Sequence, residues 1–188
     1  MRKIIAAINT TLDGFCDHTA GLPDEEIHKH YEQLLVDSGA ILYGRITFEL
    51  MKFWQDLVKN PSGEKSMDDF ASAMDQVPKI VFSNTLETTD WESATLSKKS
   101  PGETVLELRQ QKGKDILIGS RSLIVQLTNL DLIDEYQICV HPVIIGEGLP
   151  LFEKLHERTV LDLQKTRTLK SGAIILYYKR AKHQPTIH

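Results

Sequence analysis

Two periodicities divide the chain. Ile4-Ile5-Ala6-Ala7-Ile8, Ala40-Ile41-Leu42-Tyr43 and Ile116-Leu117-Ile118 are short runs with no polar residue. Such runs read as strands buried on both faces, the habit of a parallel sheet. A fourth strand is expected from Lys79 to Ser83, where Pro78 restarts the chain. Elsewhere apolar residues recur at helical spacing, as in Ile27, Tyr31, Leu34 and Leu35. Pro23 suits the first turn of that helix, Asp24, Glu25 and Glu26 suit its positive end, and Gly39 suits its close. Further helices are expected from Arg45 to Leu57, Met67 to Met74, Pro101 to near Gly113 and Ser122 to Asn129. Residues 84–100 give little signal beyond a short strand near Ser93 to Leu96.

From Tyr136 the pattern changes. Strands at Tyr136–His141, Val160–Thr168 and Ala173–Arg180 follow with no long helix between them, and Lys170-Ser171-Gly172 suits a hairpin turn. The expected fold is therefore α/β, with a mostly parallel central sheet, flanking helices and antiparallel strands at the C-terminal end. A chain of 188 residues can bury one sizeable core, so one domain over residues 1–182 is expected, with a polar tail at 183–188.

Composition narrows the function classes. Hydrophobic residues make up 41% and charged residues 26%, as in ordinary globular chains. The net charge of −4 argues against a nucleic-acid surface. No stretch approaches the ~20 apolar residues of a membrane span, and the start lacks the apolar core of a signal peptide. Cys16 and Cys139 are too few for a disulfide framework, which points to a cytoplasmic location. No metal site is expected: His28 and His30 face different sides of a helix, and His18, Asp13 and Asp17 lack ligand spacing.

The candidate chemistry lies in two turns with one grammar. Tyr43-Gly44-Arg45-Ile46-Thr47 and Ile118-Gly119-Ser120-Arg121-Ser122 each end an apolar strand on glycine and open a helix with arginine and hydroxyl residues. Glycine lets the backbone approach a ligand, and a helix's first turn presents free N–H groups and a positive dipole end. Two such turns side by side would hold the pyrophosphate of a dinucleotide. A lone turn of this kind is more often a tight connection. Ser83 and Asn84 end a further strand and could hydrogen-bond a ribose phosphate or simply start a turn. Gly146-Glu147-Gly148 lacks a following helix and reads as a turn near the sheet edge.

A third segment adds a resemblance. Leu132-Ile133-Asp134-Glu135 leads into a strand, then Pro142, Gly146-Glu147-Gly148 and Leu151-Phe152. Together with Thr11-Leu12-Asp13-Gly14-Phe15 and Gly44-Arg45-x-Thr47-x-Glu49, it resembles the dihydrofolate-reductase-like superfamily, most closely the branch that contains the reductase domain of riboflavin biosynthesis. The matches run from about residue 3 to residue 180. The resemblance implies a three-layer fold, NADPH as cofactor, hydride transfer to a small substrate, and a homodimer that buries the antiparallel end of the sheet, where Ile174, Leu176 and Tyr178 would be half-exposed. It places cofactor contacts at Gly44, Arg45, Thr47, Ser83, Asn84, Gly119, Ser120, Arg121 and Ser122. It offers three acids to assist the transfer. Asp13 lies in the Leu-Asp-Gly turn, and Asp24 and Glu25 follow Leu22-Pro23, where folate reductases carry their acid; acids are also what any helix start favours.

The chain departs from the family at several points. Ser120 stands where a second glycine, joined by an unusual peptide bond, is common. Gly21 replaces the tryptophan before Leu-Pro, and Asp75-Gln76-Val77-Pro78-Lys79 lacks the arginine that grips folate. Lys59-Asn60-Pro61 only echoes the riboflavin branch, and the zinc deaminase motifs are absent from the sequence. Three readings stay open: a stand-alone NADPH-dependent reductase of a small heterocycle (pterin- or aminopyrimidine-like), a weak dihydrofolate or pterin reductase, and a nucleotide-binding protein without turnover.

Overall fold

The computed structural model describes residues 1–181, so the polar tail expected at 183–188 lies outside the described residues. Among the described residues, thirteen elements follow one another along the chain. They are β1 (Ile4–Thr10), α1 (Glu25–Val36), β2 (Ser38–Gly44), α2 (Arg45–Lys59), α3 (Lys65–Gln76), β3 (Lys79–Phe82), β4 (Ala94–Leu96), α4 (Pro101–Gln110), β5 (Asp115–Ile118), α5 (Arg121–Asn129), β6 (Glu135–Val140), β7 (Leu161–Thr168) and β8 (Ile174–Arg180). The strands form one eight-stranded sheet in the order β4-β3-β2-β5-β1-β6-β8-β7. The first six in that order pair in parallel, and β8 and β7 complete the sheet antiparallel.

The apolar runs are explained by burial on both faces. Ile4, Ala6, Leu42, Ile116 and Ile118 face one layer, where Val105 of α4 and Leu123, Ile124 and Leu127 of α5 pack. Ile5, Ile41, Tyr43, Val81 and Leu117 face the other, against Leu35 of α1, Phe48 of α2, and Phe70 and Met74 of α3. Removing one fully buried branched side chain such as Ile124 would cost about 2–5 kcal/mol.

Two local expectations are corrected. Pro23 lies before α1, not in its first turn; Asp24 is the N-cap and accepts from the Ile27 N–H at 2.8 Å. Gly39 belongs to β2, because the chain leaves the helix at Asp37, where the backbone N–H reaches back to Gln33 and Leu35. A Cβ at Gly39 would fall 2.5 Å from the Arg2 guanidinium, so close packing explains that glycine.

The C-termini of α1 to α4 are met by cations from the same chain. The Lys114 ammonium donates to the Val36 carbonyl at 2.7 Å, at the end of α1. Lys59 and Arg109 occupy the last turns of α2 and α4. At the end of α3, the buried Lys79 ammonium donates to the Asp75 and Val77 carbonyls and to Ser93 Oγ, and lies 4.0 Å from the Trp91 ring centroid. Each contact answers the negative end of a helix dipole.

Lys79 is 1% exposed, and burial lowers its pKa from 10.5 to about 8. The unfolded chain therefore binds more protons than the folded one between those values, so this group makes stability rise with pH across that window. In Lys79→Met the contribution is absent. Measured by urea unfolding, the native protein is expected to gain roughly 3 kcal/mol relative to that variant between pH 8 and pH 10.5. A pH-independent difference would contradict this role for the ammonium.

Candidate functional site

The strand order places a crevice at the carboxyl edge of the sheet. β2 and β5 are neighbours, but the chain leaves β2 through α2 toward β3 and leaves β5 through α5 toward β6, on opposite sides. Open α/β sheets bind ligands where neighbouring connections diverge in this way. The two turns singled out in the sequence meet here. The Gly44 N–H donates to Ser120 Oγ at 2.8 Å, and the Gly119 N–H reaches the Leu42 carbonyl at 3.4 Å. A crevice of 680 Å³ opens beside them. Gly44, Arg45, Thr47, Ser83, Asn84 and Ser122 line it, as do Lys98, Lys99 and Ser100 from the approach to α4.

Its electrostatics are one-sided. Three cations and no carboxylate are among the lining residues, in a chain of net charge −4. Arg45 and Lys99 touch Glu49 and Glu107, which lie outside the lining. The helix starts add to this field. α1 begins with the Asp24 cap and two glutamates, and α4 with a capping box between Ser100 and Glu103. The starts of α2 and α5 have neither a side-chain cap nor an acid in the first turn. An anion lodged there would meet free N–H groups from both helices.

The glycines have different reasons. A Cβ at Gly119 would fall 2.8 Å from the Tyr43 ring, whereas one at Gly44 would meet Ser122 Oγ at 3.1 Å and Ser120 Oγ at 3.9 Å. Gly119 is thus a packing glycine between β5 and β2, and Gly44 keeps the crevice floor bare. Ser120 is fully buried and spent on the Gly44 N–H. The Gly119-Ser120 bond is trans, because no cis peptide occurs among the described residues. Arg121 is not brought to the crevice. Its Nε donates to the Pro150 carbonyl at 2.5 Å, and its guanidinium forms an ion pair with Glu153 at 2.5 Å. The Ser83 hydroxyl accepts from the Thr85 and Leu86 N–H groups, so the residue lines the crevice and also shapes a turn.

The three candidate acids sit outside the crevice lining. Asp13 accepts from the Thr11 hydroxyl at 2.6 Å and from the N–H groups of Ile145 and Gly146 at 3.1 and 2.8 Å. The Thr11 bond first, then those backbone donors, hold its carboxyl below the usual range. Asp17 likewise accepts from the Leu149 N–H at 2.6 Å. The Gly146-Glu147-Gly148 turn is therefore tied to the loop after β1 by two carboxylates. Asp24 is occupied as the α1 cap. Glu25 is exposed and paired with Lys29 at 2.5 Å, which lowers its pKa. Neither Asp13 nor Glu25 is held protonated.

Sequence reasoning passed over Lys98 and Lys99, which sit in the segment without legible periodicity. It also treated His141 as a strand end. His141 is 1% exposed and lies between the Leu22 N–H, which donates to its Nδ1 at 3.0 Å, and Asn9 Oδ1, 3.0 Å from its Nε2. A Cβ at Gly21 would fall 3.2 Å from that ring, which accounts for glycine there. Phe53 is exposed, while Trp54 packs edge-on against Phe70 at 4.5 Å. Among the described residues, no group of three or more His, Cys, Asp and Glu side chains is placed to hold a metal, and no helix is long and apolar enough to cross a membrane.

The two glycines can be separated by experiment. Gly119→Ala is expected to lower stability by about 1–3 kcal/mol through overpacking against Tyr43. Gly44→Ala is expected to stay within about 1 kcal/mol of the native protein. Chemical denaturation of both variants checks this; equal losses would contradict the division of roles.

Comparison with known proteins agrees with the geometry. Residues 2–175 match the model of the RibD C-terminal domain. The chain is 35% identical over 181 residues to the uncharacterized protein YyaP of Bacillus subtilis, covering 94% of each, and 28% identical to the uncharacterized protein YwjB of the same organism, covering 96% of this chain and 99% of that one. Among solved structures, a putative riboflavin biosynthesis protein from Shewanella sp. PV-4 superposes with a TM-score of 0.72 at 21% identity, over 96% of this chain and 99% of that one. A pyrimidine reductase-like protein from Corynebacterium diphtheriae does so at 0.65 and 16% identity, over 97% and 93%. Acinetobacter baumannii RibD gives 0.66 at 15% identity, over 97% of this chain and 59% of that one. These likenesses establish the mixed three-layer architecture, and the nearly full-length match places the chain in the RibD C-terminal domain family.

Proposed function

We propose that this protein is an NADPH-dependent reductase of a small heterocyclic substrate, pterin- or aminopyrimidine-like. The observation that carries this reading is the pair of uncapped, acid-free helix starts at Gly44 and Ser120, facing a crevice whose lining charges are all positive. The donor set fits a dinucleotide phosphate. The free N–H groups of α2 and α5 suit the pyrophosphate, and Arg45, Lys98 and the hydroxyls of Ser83 and Thr47 suit the phosphate on the adenosine ribose. The 680 Å³ volume lies within the range of ligand sites. The reduced nicotinamide supplies the hydride when bound.

This chain's own residues position and shield the reaction. The two carboxylates of Asp13 and Asp17 pin the 145–149 turn beside the loop after β1, at the same carboxyl edge of the sheet as the crevice. Because Asp13, Asp24 and Glu25 are each engaged as acceptors, the proton that accompanies hydride transfer is assigned to water or to the substrate's own ring rather than to a poised carboxylic acid. A folate substrate is disfavoured: Lys79, at the end of the segment without arginine, is buried under Trp91 and cannot grip a glutamate tail.

Fluorescence titration tests the cofactor. NADPH is expected to bind more tightly than NADH. Arg45→Ala is expected to shrink that preference by roughly tenfold, the size of one charge-assisted contact, and Gly44→Val to abolish binding with the fold retained. Equal affinities for the two dinucleotides, or an unaltered Gly44→Val, would refute the site.

We also propose that the protein is a homodimer joined at the antiparallel end of the sheet, and that it works in the cytoplasm. β7 is an edge strand exposed along nearly its whole length, with Leu163 at 52%, and Ile174 of β8 is also exposed. A long open edge of this kind calls for a covering partner, and a two-fold pair is the commonest solution. Light scattering at micromolar concentration is expected to give twice the chain mass of 21.3 kDa. A monomer mass would refute the dimer.

A further inference from the structure

The most informative polar group outside the crevice is the side chain of Asn9. It sits at the penultimate position of β1, on the α1 side of the sheet, and it is exposed. β1 is the strand next to β5, and Ala6 pairs with Ile118, so Asn9 extends past the level of the Gly119 turn at the same carboxyl edge. Its amide orientation is fixed by a chain of hydrogen bonds with one unambiguous donor at its origin. The Leu22 backbone N–H donates to His141 Nδ1, so that nitrogen must be the unprotonated acceptor. In the neutral ring the proton then sits on Nε2, which donates to Asn9 Oδ1 at 3.0 Å. The Tyr31 hydroxyl donates to the same oxygen at 3.1 Å. With two inward donors on Oδ1, the amide cannot flip without placing Nδ2 against them. The Nδ2 protons have no protein acceptor among the described residues.

Burial lowers the His141 pKa, which keeps the ring neutral and the relay intact around neutral pH. Asp24 opposes that shift, and Cys139 Sγ lies 3.9 Å from Nε2, too far and too weak an acceptor to compete with the amide oxygen. The relay joins the loop before α1, α1 itself, β1 and the end of β6. Three side-chain contacts, two of them part-buried, thus converge on one exposed amide and its histidine support.

We infer that Asn9 is a specificity-determining residue: its outward Nδ2–H groups are held to donate to a carbonyl oxygen of the substrate ring. The inference rests on the heterocycle-reductase reading for the presence of a substrate at this edge. It goes further in assigning that substrate a carbonyl, not an amino group, at the position facing Asn9. His141 and Tyr31 are positioning residues that act through it.

Two nearly isosteric probes decide the matter: 5,6-diaminouracil, with ring carbonyls, and 2,4,5,6-tetraaminopyrimidine, with amino groups in their place. Each is titrated into the full-length protein, followed by the side-chain amide signal of Asn9, which is identified by its loss in Asn9→Asp. The native protein is expected to favour the carbonyl probe by roughly three- to tenfold, the worth of one hydrogen bond, with a saturable shift of that amide signal. Asn9→Asp, which turns an acceptor outward, is expected to invert the preference as read by tryptophan fluorescence. Asn9→Ala is expected to erase it, which keeps the test open if the aspartate variant folds poorly. Tyr31→Phe is expected to narrow the preference without removing it.

Equal binding of the two probes by the native protein, binding of neither, or an unchanged ratio in both Asn9 variants would overturn the inference. NADPH affinity is measured on the same samples. Loss of NADPH binding in the native protein would sink the cofactor reading, whereas the probe ratio judges Asn9 separately.

Discussion

The structure turns on the uncompensated positive ends of two helices. At most of its other helix termini the chain supplies neutralising side chains of its own. Asp24 and the Ser100–Glu103 box answer the starts of α1 and α4, and Lys114 and Lys79 answer the ends of α1 and α3. Each such contact contributes about 0.3–1 kcal/mol when exposed and up to ~2 kcal/mol when partly buried. Only at α2 and α5 are both the cap and the first-turn acid missing, and those two starts are brought together by the pairing of β2 with β5. Placing Arg45 and Lys98 beside them makes the local conflict worse. That contrast with the answered starts of α1, α3 and α4 is what supports the proposed anion site.

The second constraint is the tie between the two loops that flank this edge. The loop after β1 and the segment after β6 are far apart in sequence, yet Asp13, Asp17 and Cys16 all bond to residues 145–149, Gly14 accepts from the Leu151 N–H, and Phe15 lies in an antiparallel bridge opposite Pro150. Arg121 extends the same lattice from α5 to Pro150 and Glu153. These groups have the residue types of catalysis but the contacts of scaffolding. A carboxylate that accepts three hydrogen bonds is stabilised in its charged form, which is the wrong form for delivering a proton. On the proposed reading, positioning then carries the chemistry, with Asn9 as the outward-facing group of a partly buried relay.

Much of the fold was legible because the parallel strands are buried on both faces, which leaves uninterrupted apolar runs at β1, β2 and β5. The glycine turns at 44 and 119 were legible as a pair because each ends such a run. Illegible were features set by contact across the chain. Gly39 looked like a helix cap but answers Arg2, Gly119 looked like a ligand glycine but answers Tyr43, and Arg121 looked like a phosphate ligand but holds Pro150. Lys98 and Lys99 follow the short strand β4 in a stretch with no periodicity to read, and Asn9 gains its meaning only from Tyr31 and His141, which a single sequence does not place beside it.

The central claim, that the paired bare starts of α2 and α5 hold the phosphates of a dinucleotide, is tested most directly by amide chemical shifts in isotope-labelled protein titrated with NADP. The backbone N–H signals of Arg45, Ile46, Ser122 and Leu123 are expected to move downfield together and saturably, while those in the capped first turns of α1 and α4 stay in place. Shifts confined to α1 or α4, or no saturable shift at α2 and α5, would contradict the account.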